Sequence, residues 1–255
     1  MYHRLAERPP DAEEGDYVIP AGIFARQMDV LAAEGRAVVL PAPHGGFAAA
    51  PGSVMLTFDD GCASDFEEAL PILRARRFRA AFFVNPARIG RPGYLGWDEL
   101  QALANADMVV GSHGLDHALL DDLPEPELER QLAASRDLLE SRLGRPVEWL
   151  SLPGGTGGRR ALRIASARGY RLVFGSRPGL VDPLRPPPVL PRWAVRQGHG
   201  LEGFRDIVSQ RPGPRIRAEL RFALTHFARA AVGGARYARW RRLWLGDGRG
   251  TGRGR

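Results

Sequence analysis

Val54-Met-Leu-Thr-Phe58, followed at once by Asp59-Asp60-Gly61, is the stretch on which the fold reading turns. Five residues of mostly apolar type read as a strand, and Asp-Asp-Gly reads as the turn that stops it. Phe66, Leu70 and Leu73 then recur at helical spacing and predict a helix over 66–77. Ala80-Ala-Phe-Phe-Val84 reads as a second buried strand, and 97–104, with Asp98 and Glu99 in its first turn, as a second helix. The alternation continues with a strand over 108–111, a helix over 125–143 that stops at Gly144, and a strand over 147–152. A helix over 158–168 and a strand over 170–174 complete it. Upstream, 24–35 reads as a helix leading to a strand over 37–40, and downstream the proline-rich 177–191 reads as irregular. This order predicts an α/β protein with a parallel sheet and helices outside, open or closed into a barrel. Polar chemistry is then expected at the carboxyl ends of the strands.

The 255 residues suffice for a sizeable buried core, and 44% hydrophobic with 25% charged residues excludes a disordered or fibrous chain. No apolar run approaches the ~20 residues of a membrane-spanning helix. Residues 1–10 lack the apolar core of a secretory signal, so the expected setting is cytoplasmic. One cysteine, Cys62, excludes an internal disulfide and a multi-cysteine zinc site, and a small buried filler is its expected role. The net charge of +7 is uneven: residues 211–255 hold 12 arginines against Glu219 and Asp247, a net +10, which leaves −3 for residues 1–210.

Two constellations carry chemistry. Adjacent carboxylates at the end of a buried strand repel each other unless a cation joins them, although a solvated turn is the bland reading of Asp59-Asp60. His113 and His117 follow directly from the third core strand, and their i, i+4 spacing predicts two imidazoles on one face of a helical turn. Two such sites at strand ends of one sheet converge. One Asp and two His leave coordination positions open, which is a catalytic arrangement. Water there is acidified, and the second carboxylate is placed to take its proton.

Leu56-Thr-Phe-Asp-Asp-Gly61 and Gly111-Ser-His-Gly-Leu-Asp-His117 resemble the first two motifs of the polysaccharide deacetylases, the NodB-homology domain of carbohydrate esterase family 4. Ala69-Leu-Pro-Ile-Leu73, Ala80-Ala-Phe-Phe-Val84 and Gly144-Arg-Pro-Val147 extend the resemblance, which runs from about 17 to 195. It implies a deformed (β/α) barrel that removes N-acetyl groups from amino sugars with one divalent metal, zinc above all. It also implies Asp59 as general base and Asp60, His113 and His117 as metal ligands. In Leu152-Pro153-Gly154-Gly155, at the place of the third motif, the Gly154 N–H would bind the oxyanion, with Pro153 and Gly155 beside the substrate. The family's third-motif arginine has no counterpart at Ser151-Leu152, and Arg192 is the candidate to approach the base from another strand. The last-motif histidine, a general acid, has no clean match, and His199 is the candidate in that region. Position 114 is Gly where the family has Ser or Thr. Trp193 is the candidate for stacking on a sugar ring, and Trp97 and Trp149 read as core or pocket wall.

The expected organisation is a deacetylase-like domain over 1–205 with its motif core at 54–195, a basic amphipathic helical extension over 206–245, and a disordered tail over 246–255. Within 215–245, interrupted at Gly233-Gly234, Ile216, Leu220, Leu224, Phe227 and Ala231 share one helix face, with Trp240, Leu243 and Trp244 beyond. That face suits an anionic membrane surface or packing against the barrel. No recognition motif supports nucleic-acid binding. The function expected is metal-dependent deacetylation of an N-acetylated sugar, in a cytoplasmic step of exopolysaccharide or lipid-linked glycan synthesis. The alternatives are a non-catalytic sugar-binding relative and a metal-dependent hydrolase of another small amide.

Overall fold

The structure, a computed structural model, describes residues 1–8, 15–41 and 49–232, with side chains as far as residue 224. Five parallel strands form the central sheet in chain order: β3 (Leu56–Phe58), β4 (Ala80–Val84), β5 (Val109–Ser112), β6 (Trp149–Ser151) and β7 (Leu172–Phe174). They follow β1 (Arg4–Leu5), β2 (Val18–Ile19), which pair with each other, and helix α1 (Ala21–Ala33). Helices α2 (Leu70–Ala75), α3 (Trp97–Asn105), α4 (Glu125–Leu143) and α5 (Arg159–Ala167) are the crossovers, and α6 (Gly200–Val208) and α7 (Pro212–Val232) follow the sheet. The register pairs Phe58 with Phe82, Val84 with Ser112, and Ser151 with Phe174.

Strand alternation sorts the side chains into two cores. Phe58, Phe82, Val84, Val110 and Leu150 face the helices and join the large outer core. Ala81, Phe83, Trp149, Phe174 and Leu190 fill the inside of the curl. Gly111 is required there, because a Cβ at that position would lie 2.6 Å from the Phe83 ring and 2.9 Å from the Trp149 carbonyl. Gly144 ends α4 in the left-handed conformation (φ 65°), the usual glycine stop.

The two edges of the sheet are joined by segments from the ends of the domain. Leu190 bridges Phe174 in parallel, and Tyr2 bridges Phe58 in parallel. Between them the Met1 nitrogen donates to the Trp193 carbonyl (2.8 Å) and the Val195 N–H donates to the Met1 carbonyl (2.9 Å). Residues 1–2 therefore act as the wall stave that closes the curl. Tyr2 anchors this stave in the outer core, stacked on Phe58 (5.4 Å), edge-on to Phe24 (5.0 Å), with its hydroxyl donating to Gln27 (2.9 Å).

Several expectations need correction. The helix expected over 66–77 starts as a π-helical turn, Asp65–Ala69, and becomes α-helical only over Leu70–Ala75. The strand expected over 37–40 is reduced to a single bridge between Val38 and Val54. The pairs β1–β2 and helix α6 were not expected, and the expected domain boundary at 205/206 falls inside α6. On the part of α7 whose side chains are described, Ile216, Leu220 and Leu224 are exposed rather than set against the barrel. The interruption at Gly233-Gly234, the group Trp240, Leu243 and Trp244, and the tail over 246–255 lie outside the described residues.

Candidate metal and acyl-transfer site

The site stands at the carboxyl ends of β3, β5 and β6. Past Phe58 the chain turns through Asp60 (φ 79°) and Gly61 (φ 69°), both in the left-handed region. A non-glycine residue held there costs free energy that the surrounding structure must supply, and such positions cluster at functional sites. The turn sends the two neighbouring carboxylates to different partners.

Asp59 points into the curl and is buried. Arg192 grips it with a two-pronged pair, Nη1 to Oδ1 and Nη2 to Oδ2, both 2.8 Å. The Ser151 hydroxyl donates to Oδ2 (3.0 Å) and accepts from Arg192 Nη2 (2.7 Å). Arg192 is itself held by the Gly175 carbonyl (2.7 Å), by Thr57 Oγ1 (3.3 Å), and by the faces of Phe83 and Phe174, 5.5 and 5.7 Å from its guanidinium carbon. Burial pushes the Asp59 carboxyl up. The Arg192 charge and hydrogen bonds, with His113, more than reverse this and hold it well below the usual carboxylate range.

Asp60 faces the two imidazoles. Its Oδ1 lies 3.7 Å from His113 Nε2 and 3.3 Å from His117 Nε2, and the two rings are 4.9 Å apart. The three side chains offer ligand atoms within 4.8 Å of one another. The expected helical turn is corrected here. Residues 113–117 form a loop, with Gly114 (φ 73°) and His117 (φ 72°) left-handed, and the loop rather than helical spacing brings the rings together. Gln131 of α4 pins it, accepting from the Leu115 N–H (2.9 Å) and donating to Asp116 (2.9 Å).

The donor set fits a divalent metal. His113 Nδ1 lies 2.8 Å from the Ser151 carbonyl, which can only accept, so Nδ1 carries the proton and Nε2 presents a lone pair toward Asp60. Burial above all pushes the His117 imidazole down to about 4, so it is neutral at pH 7, the form a metal needs. Zinc, with its preference for mixed N/O donors, suits one carboxylate and two neutral imidazoles.

The remaining expected residues divide into those at the site and those elsewhere. Pro153, Gly154 and Gly155 form the turn after β6, with Gly154 (φ 68°) exposed. A Cβ on Gly114 of the histidine loop would sit 3.3 Å from Pro153, so the two loops abut. His199 is a correction: its Nδ1 accepts from the Arg196 N–H (3.1 Å), and the charges acting on it are Arg196, Arg221 and Asp16 rather than the paired carboxylates. Trp193 is another. It lines an apolar cavity of about 430 Å³ with Arg192, Met1, Val54, Phe204 and Val208, to which none of Asp60, His113 and His117 contributes.

Three residues join the site unannounced. Ser151 supplies both a hydroxyl for Asp59 and a carbonyl for His113. Arg88 Nη1 reaches Asp60 Oδ1 (3.4 Å) and lies over the Tyr94 ring. His3, one residue past Tyr2 on the closing stave, is half-buried, and its Nδ1 is shielded from water with no hydrogen-bond partner. Burial holds its pKa below the usual histidine value, against opposing pulls from Asp60 and Asp59. The sequence signal for it was the alternation of Tyr2 and His3 beside the first buried strand, too short to register as a pattern.

Comparison with known proteins agrees with this geometry. The polysaccharide deacetylase family model matches residues 48–173. Residues 48–173 belong to that family. A Bacillus subtilis (strain 168) protein, YxkH, named for polysaccharide deacetylase, is 26% identical over 126 residues, which span 49% of this chain and 45% of that protein. The chain thus spans about half the length of this curated relative. Among solved structures, IcaB from Ammonifex degensii superposes with a TM-score of 0.70 at 26% identity, covering 82% of this chain and 93% of that one. Streptococcus pyogenes deacetylase PplD, in complex with acetate, gives 0.73 at 20% identity over 82% and 96%, a likeness of fold. The deformed (β/α) barrel expected of this family is the fold observed.

Proposed function

We propose that this chain hydrolyses the N-acetyl amide of an amino sugar within a polysaccharide or lipid-linked glycan. The observation that carries the reading is the convergence of Asp60, His113 and His117 beside an Asp59 clamped by Arg192. A divalent metal held by those three residues, zinc in this proposal, would supply Lewis acidity, polarising the acyl carbonyl and lowering the pKa of water. Asp59 accepts the proton of the attacking water. Its pairing with Arg192 keeps it ionised and aimed at the cost of base strength, which suffices where the water is already acidified. The Gly154 N–H, on the exposed turn after β6, is offered to the developing oxyanion. In this proposal His3 takes the role expected of His199: an imidazole whose unpartnered Nδ1 takes up a proton released from the water and passes it to the leaving amine.

Against the non-catalytic alternative, this reading is supported by the Arg192 pair with Asp59 and by the unpartnered His3 imidazole. As part of the same proposal, the step takes place in the cytoplasm, in exopolysaccharide or lipid-linked glycan synthesis. The anionic cytoplasmic leaflet gives the +10 segment 211–255 a counterpart there.

Acetate release from N-acetylglucosamine oligomers, with bound metal quantified in the same samples, tests the chemistry. Asp59→Asn keeps metal and lowers turnover by ~10²–10⁴-fold, and His3→Gln lowers it by about 10²-fold with metal retained. Near-normal release by Asp59→Asn would reject the assigned base, and no release by the metal-loaded wild type on any N-acetylated oligomer would reject the substrate class.

A further inference from the structure

Helix α7 carries an apolar stripe that nothing in the described structure covers. Ile216, Leu220 and Leu224 lie one above another at four-residue spacing, and they are 51%, 59% and 71% exposed. In the sequence Phe227 and Ala231 continue the same face. Soluble monomers seldom leave aliphatic side chains in register on such a surface, and a stripe of this kind marks an interaction site.

Charge frames the stripe. With 3.6 residues per turn, Arg217 and Arg221 fall on one flank of the stripe, Glu219 falls on the other, and Arg215 and Arg229 fall toward the opposite face. The acid in this stretch, Glu219, lies 3.7 Å from Arg215, which leaves the flank without net negative charge. Long arginine stems at the border of an apolar stripe can lie along it while their guanidinium groups reach outward. Apolar centre, a cationic flank and low overall hydropathy describe a helix that lies in a bilayer interface rather than crossing it. Among the described residues no helix is long and apolar enough to cross.

We propose that this face of α7 docks on the surface of an anionic phospholipid bilayer, the stripe entering the acyl boundary and the arginines meeting phosphates. The alternatives fit the same residues poorly. Two copies paired antiparallel through the stripe would set Arg217 and Arg221 of each against those of the other, a repulsion that anionic headgroups remove. A nucleic acid would engage the arginines and leave the aliphatic stripe in water. The +10 of residues 211–255 against −3 for the remainder gives the contact its direction, since only one end of the molecule is drawn to a negative surface.

Flotation of the full chain tests this without reference to catalysis. Vesicles of phosphatidylcholine alone are compared with vesicles containing phosphatidylglycerol, at low and high salt. The protein floats with the anionic vesicles at low salt, and binding falls at least ~10-fold on neutral vesicles or in high salt. Leu220→Ser with Leu224→Ser reduces anionic-vesicle binding about tenfold, with unchanged circular dichroism because both side chains are exposed. Arg217→Gln weakens binding and flattens its salt dependence. Failure to float with anionic vesicles overturns the proposal, as does undiminished flotation of the double-serine variant. Sedimentation velocity showing a dimer that the double-serine variant dissociates would instead assign the stripe to self-association and also overturn it. So would duplex-DNA binding by the wild type without flotation.

Discussion

Asp60, His113 and His117 belong to loops after β3 and β5, strands separated only by β4, whereas the groups around Asp59 are drawn from the far ends of the domain. The ligand half is made by short local motifs and by backbone held left-handed at Asp60 and His117. The Asp59 half, to which the proposal gives the proton handling, is made by closure of the curl, which delivers His3 on one stave and Arg192 on the next. Two carboxylates adjacent in sequence thereby acquire opposite surroundings, one open to imidazoles and cation, the other locked to a guanidinium. The division implies that metal affinity and proton handling respond separately to mutation.

The largest expected effect breaks the ligand half alone. His113→Ala removes one of three ligand side chains, and since even an outer-shell partner of a metal ligand is worth 10–100-fold in affinity, metal binding falls by more than ~10²-fold. The Asp59–Arg192 pair is untouched, so the variant stays folded. Stoichiometric metal in purified His113→Ala, read by elemental analysis, would dissolve the division.

Arg192→Ala attacks the other half and shows its effect first as stability. Removing the guanidinium strands a buried Asp59 carboxylate, and breaking a buried pair from one side costs about 3–5 kcal/mol. The sign with pH follows from the depressed Asp59 pKa: the pair stabilises above the unfolded carboxylate value and its contribution is lost as pH falls through the lower, folded value. The variant's deficit is therefore full at pH 7 and shrinks only in strong acid, which denaturant melts at several pH values measure. A deficit under about 1 kcal/mol at pH 7 would mean that Asp59 is solvated.

The same contrast explains what was legible in sequence. The chemistry of the ligand half was readable because Asp-Asp-Gly and His-x-x-x-His each sit directly after an apolar run, although the loop that orients the histidines was not, since Gly114 and His117 adopt a conformation that spacing does not encode. Strands β4 and helix α4 were read to the residue because buried runs and caps are local signals. Arg192 was legible as a candidate and not as a contact, for its segment joins β7 by a single bridge at Leu190 and has no periodicity. His3 was missed for the same reason, and His199 and Trp193 were misplaced because neighbourhood in sequence was used where only closure decides neighbourhood in space.

The smallest expected effect sharpens the contrast from between the halves. Asp65 is wholly buried on the π-helical turn that follows the Asp59-Asp60 motif, and neither carboxyl oxygen makes a full hydrogen bond. Burial first, then Asp60 and Asp59, push its carboxyl well above the usual range against weaker pulls from Arg4 and the Cys62 N–H. For an acid raised in the folded state, stability is full below the unfolded value and is lost as pH climbs toward the folded one. Asp65→Asn keeps the shape and removes the titration. The variant therefore melts like the wild type near pH 4 and a few degrees higher near pH 8, where about 1 kcal/mol corresponds to roughly 2–4 °C for a domain of this size. A divalent metal between Asp60 and the histidines offsets part of the carboxylate repulsion, so adding metal narrows the gap at pH 8 if Asp65 feels the ligand half. A gap unchanged by metal places Asp65 with burial alone, and a variant less stable than the wild type at pH 8 refutes the raised carboxyl.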